Sequence, residues 1–232
     1  MKRRDFIMGA TAGVGAAWIG SRGLARGMSA VPALPRKFTA ADTVVLGKTG
    51  IKTSRLAMGT GTVGSGHHSH QTALGVKGLS DLLLNGHDNG LRFFDAADAY
   101  GSHPHVAEAL KHLRRDQVTV LTKTWARDPA EARADLDRFR KELGIDYIDI
   151  CLMHCLTEGD WTERYRGVMD VFSEAKEKGI IRAHGCPCPR IEALRDAPKS
   201  PWVELSRVRL TPLGSTASPE PAPAVPVLSG AR

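Results

Sequence analysis

The sequence predicts an α/β fold of the (β/α)8 TIM-barrel type, incomplete and built from about six β/α units, and three observations predict it. Short apolar or β-branched runs of strand length recur at regular spacing along the chain. Each run is followed by a stretch with helical periodicity. Each also closes on polar residues at its C-terminal end: FFDAADAYG (93–101) on Asp95 and Tyr100, VTVLTKT on Lys123, IDICLMHC on His154 and IIRAHGCPC on a Cys-Pro cluster. Alternating strands and helices with right-handed crossovers give a parallel sheet that closes on itself. Polar groups gathered at successive strand C-termini are how such a barrel builds a site.

The elements follow in order. VVLGKTGIKTSRLAMG reads as a short hairpin with turn signals at 48–50, leading into a first barrel strand around Arg55–Met58. After the loop GTGTVGSGHHSHQT, Leu79, Leu82 and Leu83 lie at helical spacing in a helix over 72–89. Strand two is Arg92–Ala96, and helix two covers about Pro104–Leu113 with proline in its first turn. Strand three is Val118–Thr122; helix three starts after Pro129 and stops at Gly144. Strand four is Tyr147–Met153, helix four Glu163–Lys178, strand five Ile181–His184, helix five Arg190–Ala197, and strand six Val203–Leu210.

The two chain ends do not follow this pattern. Residues 1–30 open on Lys2, Arg3 and Arg4, continue as a Gly/Ala-rich apolar run and finish on small residues. Arg3-Arg4-Asp5-Phe6-Ile7 resembles a twin-arginine export signal, which implies recognition by the twin-arginine translocation machinery and a periplasmic location. The apolar run is too short and glycine-rich for a membrane span. Residues 31–42 read as a Pro-containing linker, and 43–213 as the barrel portion. From 214 to 232 Pro219, Pro221, Pro223 and Pro226 interrupt any ladder, so a disordered tail is expected. A complete barrel typically takes about 250 residues; the region between the two ends holds about 170, enough for about six units.

A formal charge of +7 does not indicate nucleic-acid binding. Lys2, Arg3, Arg4, Arg22 and Arg26 belong to the leading segment, and the remaining bases alternate with acids on helix faces such as ADLDRFRKELG. No basic stripe accompanies the charge. The four cysteines, Cys151, Cys155, Cys186 and Cys188, lack the spacing of a disulfide scaffold; a Cys155–Cys188 bridge and buried free thiols both remain open. Neither HHSH (His67, His68, His70) nor HPH (His103, His105) completes a zinc-type spacing, so no metal is expected and both loops read as a polar substrate entrance.

Asp95, Tyr100, Lys123 and His154 make a proton-transfer set. A phenol is a weak acid with a pKa of about 10, and an ammonium beside it favours the phenolate. These residues and the words around them, LGKTGIKTSRLAMGTG (46–61), GLRFFDAADAYG, LTKT, RKELGIDYIDICLMH and FSEAKEKGIIRAHG (172–185), resemble the aldo-keto reductases. The match keeps one register over roughly 43–210. The resemblance implies an oxidoreductase that reduces an aldehyde or ketone with NADPH or NADH. In it Tyr100 would be the proton donor, Lys123 and Asp95 its supporting pair, and His154 the group orienting a small carbonyl substrate. It implies cofactor contacts from Gly59, Thr60 and Asp95. Pro187 stands where the family has a serine, and proline offers neither hydroxyl nor N–H. The family's last two strands, with their stacking aromatic and phosphate clamp, have no counterpart before 213. The expectation is a truncated member that binds NAD(P)H weakly. The alternative is a non-catalytic, degenerate barrel fragment that keeps the tetrad and has lost the cofactor site.

Overall fold

The structure, a computed structural model, describes residues 37–208, 210–211 and 214–215. The twin-arginine-type segment 1–30, the first half of the linker and the chain beyond 215 lie outside the described residues.

A hairpin opens the described chain: β1 (Thr43–Val45) runs antiparallel to β2 (Lys52–Ser54). The Lys48 N–H at its turn donates to the Glu204 carbonyl at 2.8 Å, which fastens the hairpin to the segment entering the last sheet strand. Six parallel strands follow: β3 (Met58–Gly59), β4 (Phe93–Asp95), β5 (Thr119–Thr124), β6 (Ile148–Met153), β7 (Ile181–Pro187) and β8 (Leu205–Arg207). They pair in the order β3-β4-β5-β6-β7-β8, strictly the order of the chain. A doubly wound sheet reverses its order at a switch point; this one never does. Sequential parallel order with a crossover helix after each strand is the order of a (β/α)8 barrel, here an incomplete one of six strands.

Every residue of β5 and β6 is buried, because both faces of the sheet are covered. Ile150 and Leu152 face inward with Ile51, Phe93, Leu121 and Ala183, while Cys151 and Met153 face the helices. This alternation follows from the two-residue period of a strand. The outer layer is α1 (Gly75–Asp88), α2 (His103–Leu110), α3 (Pro129–Leu143), α4 (Trp161–Arg164), α5 (Arg166–Glu177) and α6 (Ile191–Asp196). Leu136, Phe139, Val168 and Phe172 pack this layer onto the sheet. Each such side chain, fully buried, contributes about 1.5–3 kcal/mol. Asp128 starts α3 by accepting the N–H groups of Ala130 and Glu131 at 2.8 and 3.2 Å.

Several bounds differ from the sequence reading for identifiable reasons. In place of the one helix expected over 163–178 the chain forms two, broken at Tyr165; Trp161 at the start of the first is buried and donates from Nε1 to the Ala193 carbonyl. Strand β7 runs on to Pro187, whose missing N–H costs nothing at the strand's last residue. The first barrel strand starts three residues later than expected, at Met58. Gly214–Ser215, placed in the tail by the sequence, pair as β10 with β9 (Leu210–Thr211). All four cysteines are free; Cys186 Sγ lies 3.4 Å from Cys188 Sγ, so the neighbour of Cys188 is Cys186 and not Cys155.

At the N-terminal rim of the sheet Asp149, 1% exposed, accepts the Val120 N–H at 2.9 Å. The same carboxylate takes Arg115 at 2.6 Å and Arg182 at 2.7 Å. One buried group thus ties β5, β6 and β7 together. No helix among the described residues is long and apolar enough to cross a membrane.

Candidate active site

The opposite rim carries the polar strand ends. Strand β4 closes on Asp95 and turns through a short 3-10 segment, Asp98–Tyr100. Gly101 follows at φ 62°, a left-handed conformation suited to glycine. The turn lays the Tyr100 ring over the mouth of the sheet, where Gly61 and Gly64 press against its two edges; a Cβ at either would overlap ring atoms. The loop bearing these glycines is held to the turn by the His67 N–H, which donates to the Ala99 carbonyl at 2.9 Å.

Lys123 stands on the neighbouring strand β5 and is 1% exposed. Its ammonium donates to Asp95 Oδ1 at 2.6 Å and to the Ala96 carbonyl at 2.7 Å, and it lies 4.7 Å from the centre of the Tyr100 ring. Burial pulls the Lys123 pKa down to about 8, against the opposing pull of Asp95 and with the help of the nearby Arg207 charge. His154 follows β6, its N–H donating to the Thr124 carbonyl at 2.7 Å. Its ring stands edge-on to Tyr100 at 5.8 Å and tilts against Trp125 at 4.8 Å. Burial, and then the Lys123 charge, bring the His154 pKa down to about 4, so the imidazole is neutral at pH 7. Its Nδ1 is buried with no hydrogen-bond partner among the described residues.

The structure therefore brings Asp95, Tyr100, Lys123 and His154 into one cluster from three successive strand ends. A cavity of about 350 Å3 opens on it, with Tyr100, Lys123, His154, Cys155, Pro187 and Arg207 in its wall. That volume is at the small end of the range of about 300–1,000 Å3 for small-molecule sites.

Of the sequence-named cofactor residues, Gly59, Thr60 and Asp95 do not themselves line the cavity, though Asp95 holds two residues that do, Lys123 and Arg207. Thr60 is fully buried; its N–H and its hydroxyl both contact the Asp95 carbonyl, at 3.0 and 2.9 Å, and the hydroxyl also meets Ser102 Oγ at 2.8 Å. Its polar atoms serve the junction of β3 and β4. Pro187 lines the cavity, and its one polar atom, the carbonyl, accepts the Leu156 N–H at 3.2 Å. The described residues fit the proton-donor half of a carbonyl-reducing site, while Thr60 and Pro187 have no uncommitted donor for a nicotinamide carboxamide.

The histidine-rich loops do not form an entrance together. His103 and His105 are buried on α2, and His103 bonds Glu142 through Nδ1 and Thr122 through Nε2, both at 2.7 Å. Their alternation HPH matched a loop in sequence, and tertiary partners took them into the helix layer. The residue that the sequence reading missed is Arg207, whose Nη2 is 2.8 Å from Asp95 Oδ2. Its signal was available: a charge at the end of a strand that should be covered on both faces asks for a buried partner.

The aldo/keto reductase family model matches residues 55–213. The chain belongs to the aldo/keto reductase family. Among curated proteins, it is similar to the NADH-specific methylglyoxal reductase of Escherichia coli K12, 31% identical over 165 residues, or 61% of this chain and 50% of that one. It is also 33% identical over 100 residues to methylglyoxal reductase DkgA of Escherichia coli O157:H7, covering 41% of this chain and 35% of the relative. The chain thus spans half or less of the length of these relatives. Among solved structures, Bombyx mori aldo-keto reductase in complex with NADP superposes with a TM-score of 0.63 at 19% identity, over 83% of this chain and 64% of that one. At that identity the likeness speaks for the fold.

Proposed function

We propose that this aldo-keto reductase chain reduces the carbonyl of a small aldehyde or ketone, with Tyr100 as proton donor. The observation that carries the reading is the convergence of Tyr100, His154 and the Lys123–Asp95 pair on one cavity at the strand C-termini. A carbonyl oxygen seated there faces a neutral imidazole and a phenol. Negative charge grows on that oxygen as its carbon is reduced, and the Tyr100 hydroxyl delivers the proton that neutralises it. The ammonium of Lys123 stabilises the phenolate left behind, and Asp95 holds that ammonium in place. NAD(P)H, when bound, supplies the hydride.

We further propose that this cofactor binds weakly, because the atoms of Thr60 are committed within the fold and Pro187 offers no donor. Losing two charge-assisted or well-placed hydrogen bonds at about 1.5 kcal/mol each corresponds to about a 100-fold rise in Kd. The same observation favours a second reading, a barrel that keeps the proton-donor set and no longer turns over. A steady-state assay with 4-nitrobenzaldehyde separates the two. Turnover at high NADPH or NADH that disappears in Tyr100→Phe supports the reductase; absence of turnover at saturating cofactor supports the second reading and ends the first.

The Arg3-Arg4-Asp5-Phe6-Ile7 start supports export to the periplasm through the twin-arginine machinery. Replacing Arg3 and Arg4 by lysine should abolish export of a fused reporter, and unchanged export would rule the route out.

A further inference from the structure

The cavity holds more positive charge than its carboxylate balances. Asp95 pairs with two cations of the cavity wall, and both its oxygens are taken: Oδ1 by Lys123 at 2.6 Å and Oδ2 by Arg207 Nη2 at 2.8 Å. His154 carries no charge at neutral pH, so two cations face one anion and a unit of positive charge is left over.

The two cations differ in what they can still offer. Lys123 is almost fully buried and already donates twice. The Arg207 side chain is 42% exposed, lines the cavity, and has Asp95 as its one charged partner among the described residues. Its remaining N–H groups form the planar fork that matches a carboxylate. Pro187 and Val208 are apolar neighbours in the same cavity wall.

We infer that the site selects small carbonyl substrates that also carry a carboxylate, with Arg207 taking the carboxylate. Arg207 and Lys123 are both within hydrogen-bonding distance of one Asp95 group, and Lys123 lies under the Tyr100 ring. Anion site and proton donor thus open on the same small cavity, so one short oxo acid can reach both. This inference deepens the proposed reduction and rests on it for turnover; anion binding itself needs no cofactor.

The test is calorimetric titration of the full chain, without cofactor, with pyruvate and with its uncharged methyl ester. Pyruvate should bind at least about tenfold more tightly than methyl pyruvate, the worth of one charge-assisted contact. Arg207→Gln should remove that preference and leave methyl pyruvate unchanged, while Arg207→Lys, which keeps the charge and guards against misfolding, should retain part of it. Equal affinity for the two ligands, no detectable pyruvate binding, or a preference that survives in Arg207→Gln would overturn the assignment. Pyruvate binding in a chain that shows no turnover would instead sink the reductase reading and leave the anion site standing.

Discussion

Gly61 lies so close to the Tyr100 ring that a methyl group at its Cα would occupy the same space as the Cδ2–Cε2 edge. Gly64 presses the other edge, at Cδ1 and Cε1. The phenol at the cavity mouth is therefore set by backbone contact from the loop after β3 as well as by its own turn.

This contact gives a prediction with an internal control. Gly61→Ala should destabilise the protein by about 1–3 kcal/mol through overpacking. Gly59→Ala, two residues earlier and with open space around its Cα, should stay within about 0.5 kcal/mol. In a Tyr100→Ala background the Gly61→Ala cost should largely vanish, since the ring it collides with is gone. Urea unfolding of the four variants measures this, and an undiminished cost in the double variant would contradict it.

The buried Lys123 predicts a particular pH dependence. Its pKa in the folded chain is about 8, against an ordinary 10.5. Below about 8 the amine is charged in both folded and unfolded chains, and the penalty of burying it is constant. Between about 8 and 10.5 the unfolded chain keeps a proton that the folded chain has released, so this residue makes stability rise with pH there. NMR with carbon-labelled lysine should show one side-chain resonance titrating near 8 and missing in Lys123→Met. A titration of that resonance near 10.5 would refute the assignment.

The carboxylate of Asp149 has no part in the cavity and should act on stability alone. Asp149→Ala leaves Arg115, Arg182 and the Val120 N–H without their shared acceptor and should cost about 3 kcal/mol, near the lower end for a broken buried pair because the arginines are partly exposed. Asp149→Asn keeps an acceptor for Val120 and should cost less. Denaturant midpoints decide it; a loss under about 1 kcal/mol in Asp149→Ala would show that the group is dispensable.

The sheet was legible because each strand is a short apolar run ending on polar residues, and that grammar survives without any knowledge of partners. The convergence of Asp95, Tyr100, Lys123 and His154 was legible for the same reason: each occupies the end of its strand or the turn just after it. What could not be read were properties set by neighbours distant in sequence. The hydroxyl of Thr60 looks available in the sequence and is consumed by Asp95 and Ser102, 35 and 42 residues away. The imidazole of His103 looks like part of a loop at a substrate entrance and is held by Glu142 and Thr122. Arg207, inside the expected strand 203–210, finds its partner in Asp95 of a strand distant in sequence.

The strictly sequential strand order has a kinetic consequence. Each β/α unit finds its sheet partner in the unit just before it, so the chain closes short loops one after another and can fold in the order in which it is synthesised. The bond between Asp95 on β4 and Arg207 on β8 is of another kind, since it spans the sheet and can form only when the last strand has docked. The cavity wall and its second ion pair are then completed at the final step of folding. Removing the Arg207 charge should leave the folding rate nearly unchanged and accelerate unfolding, the signature of a contact made after the rate-limiting barrier.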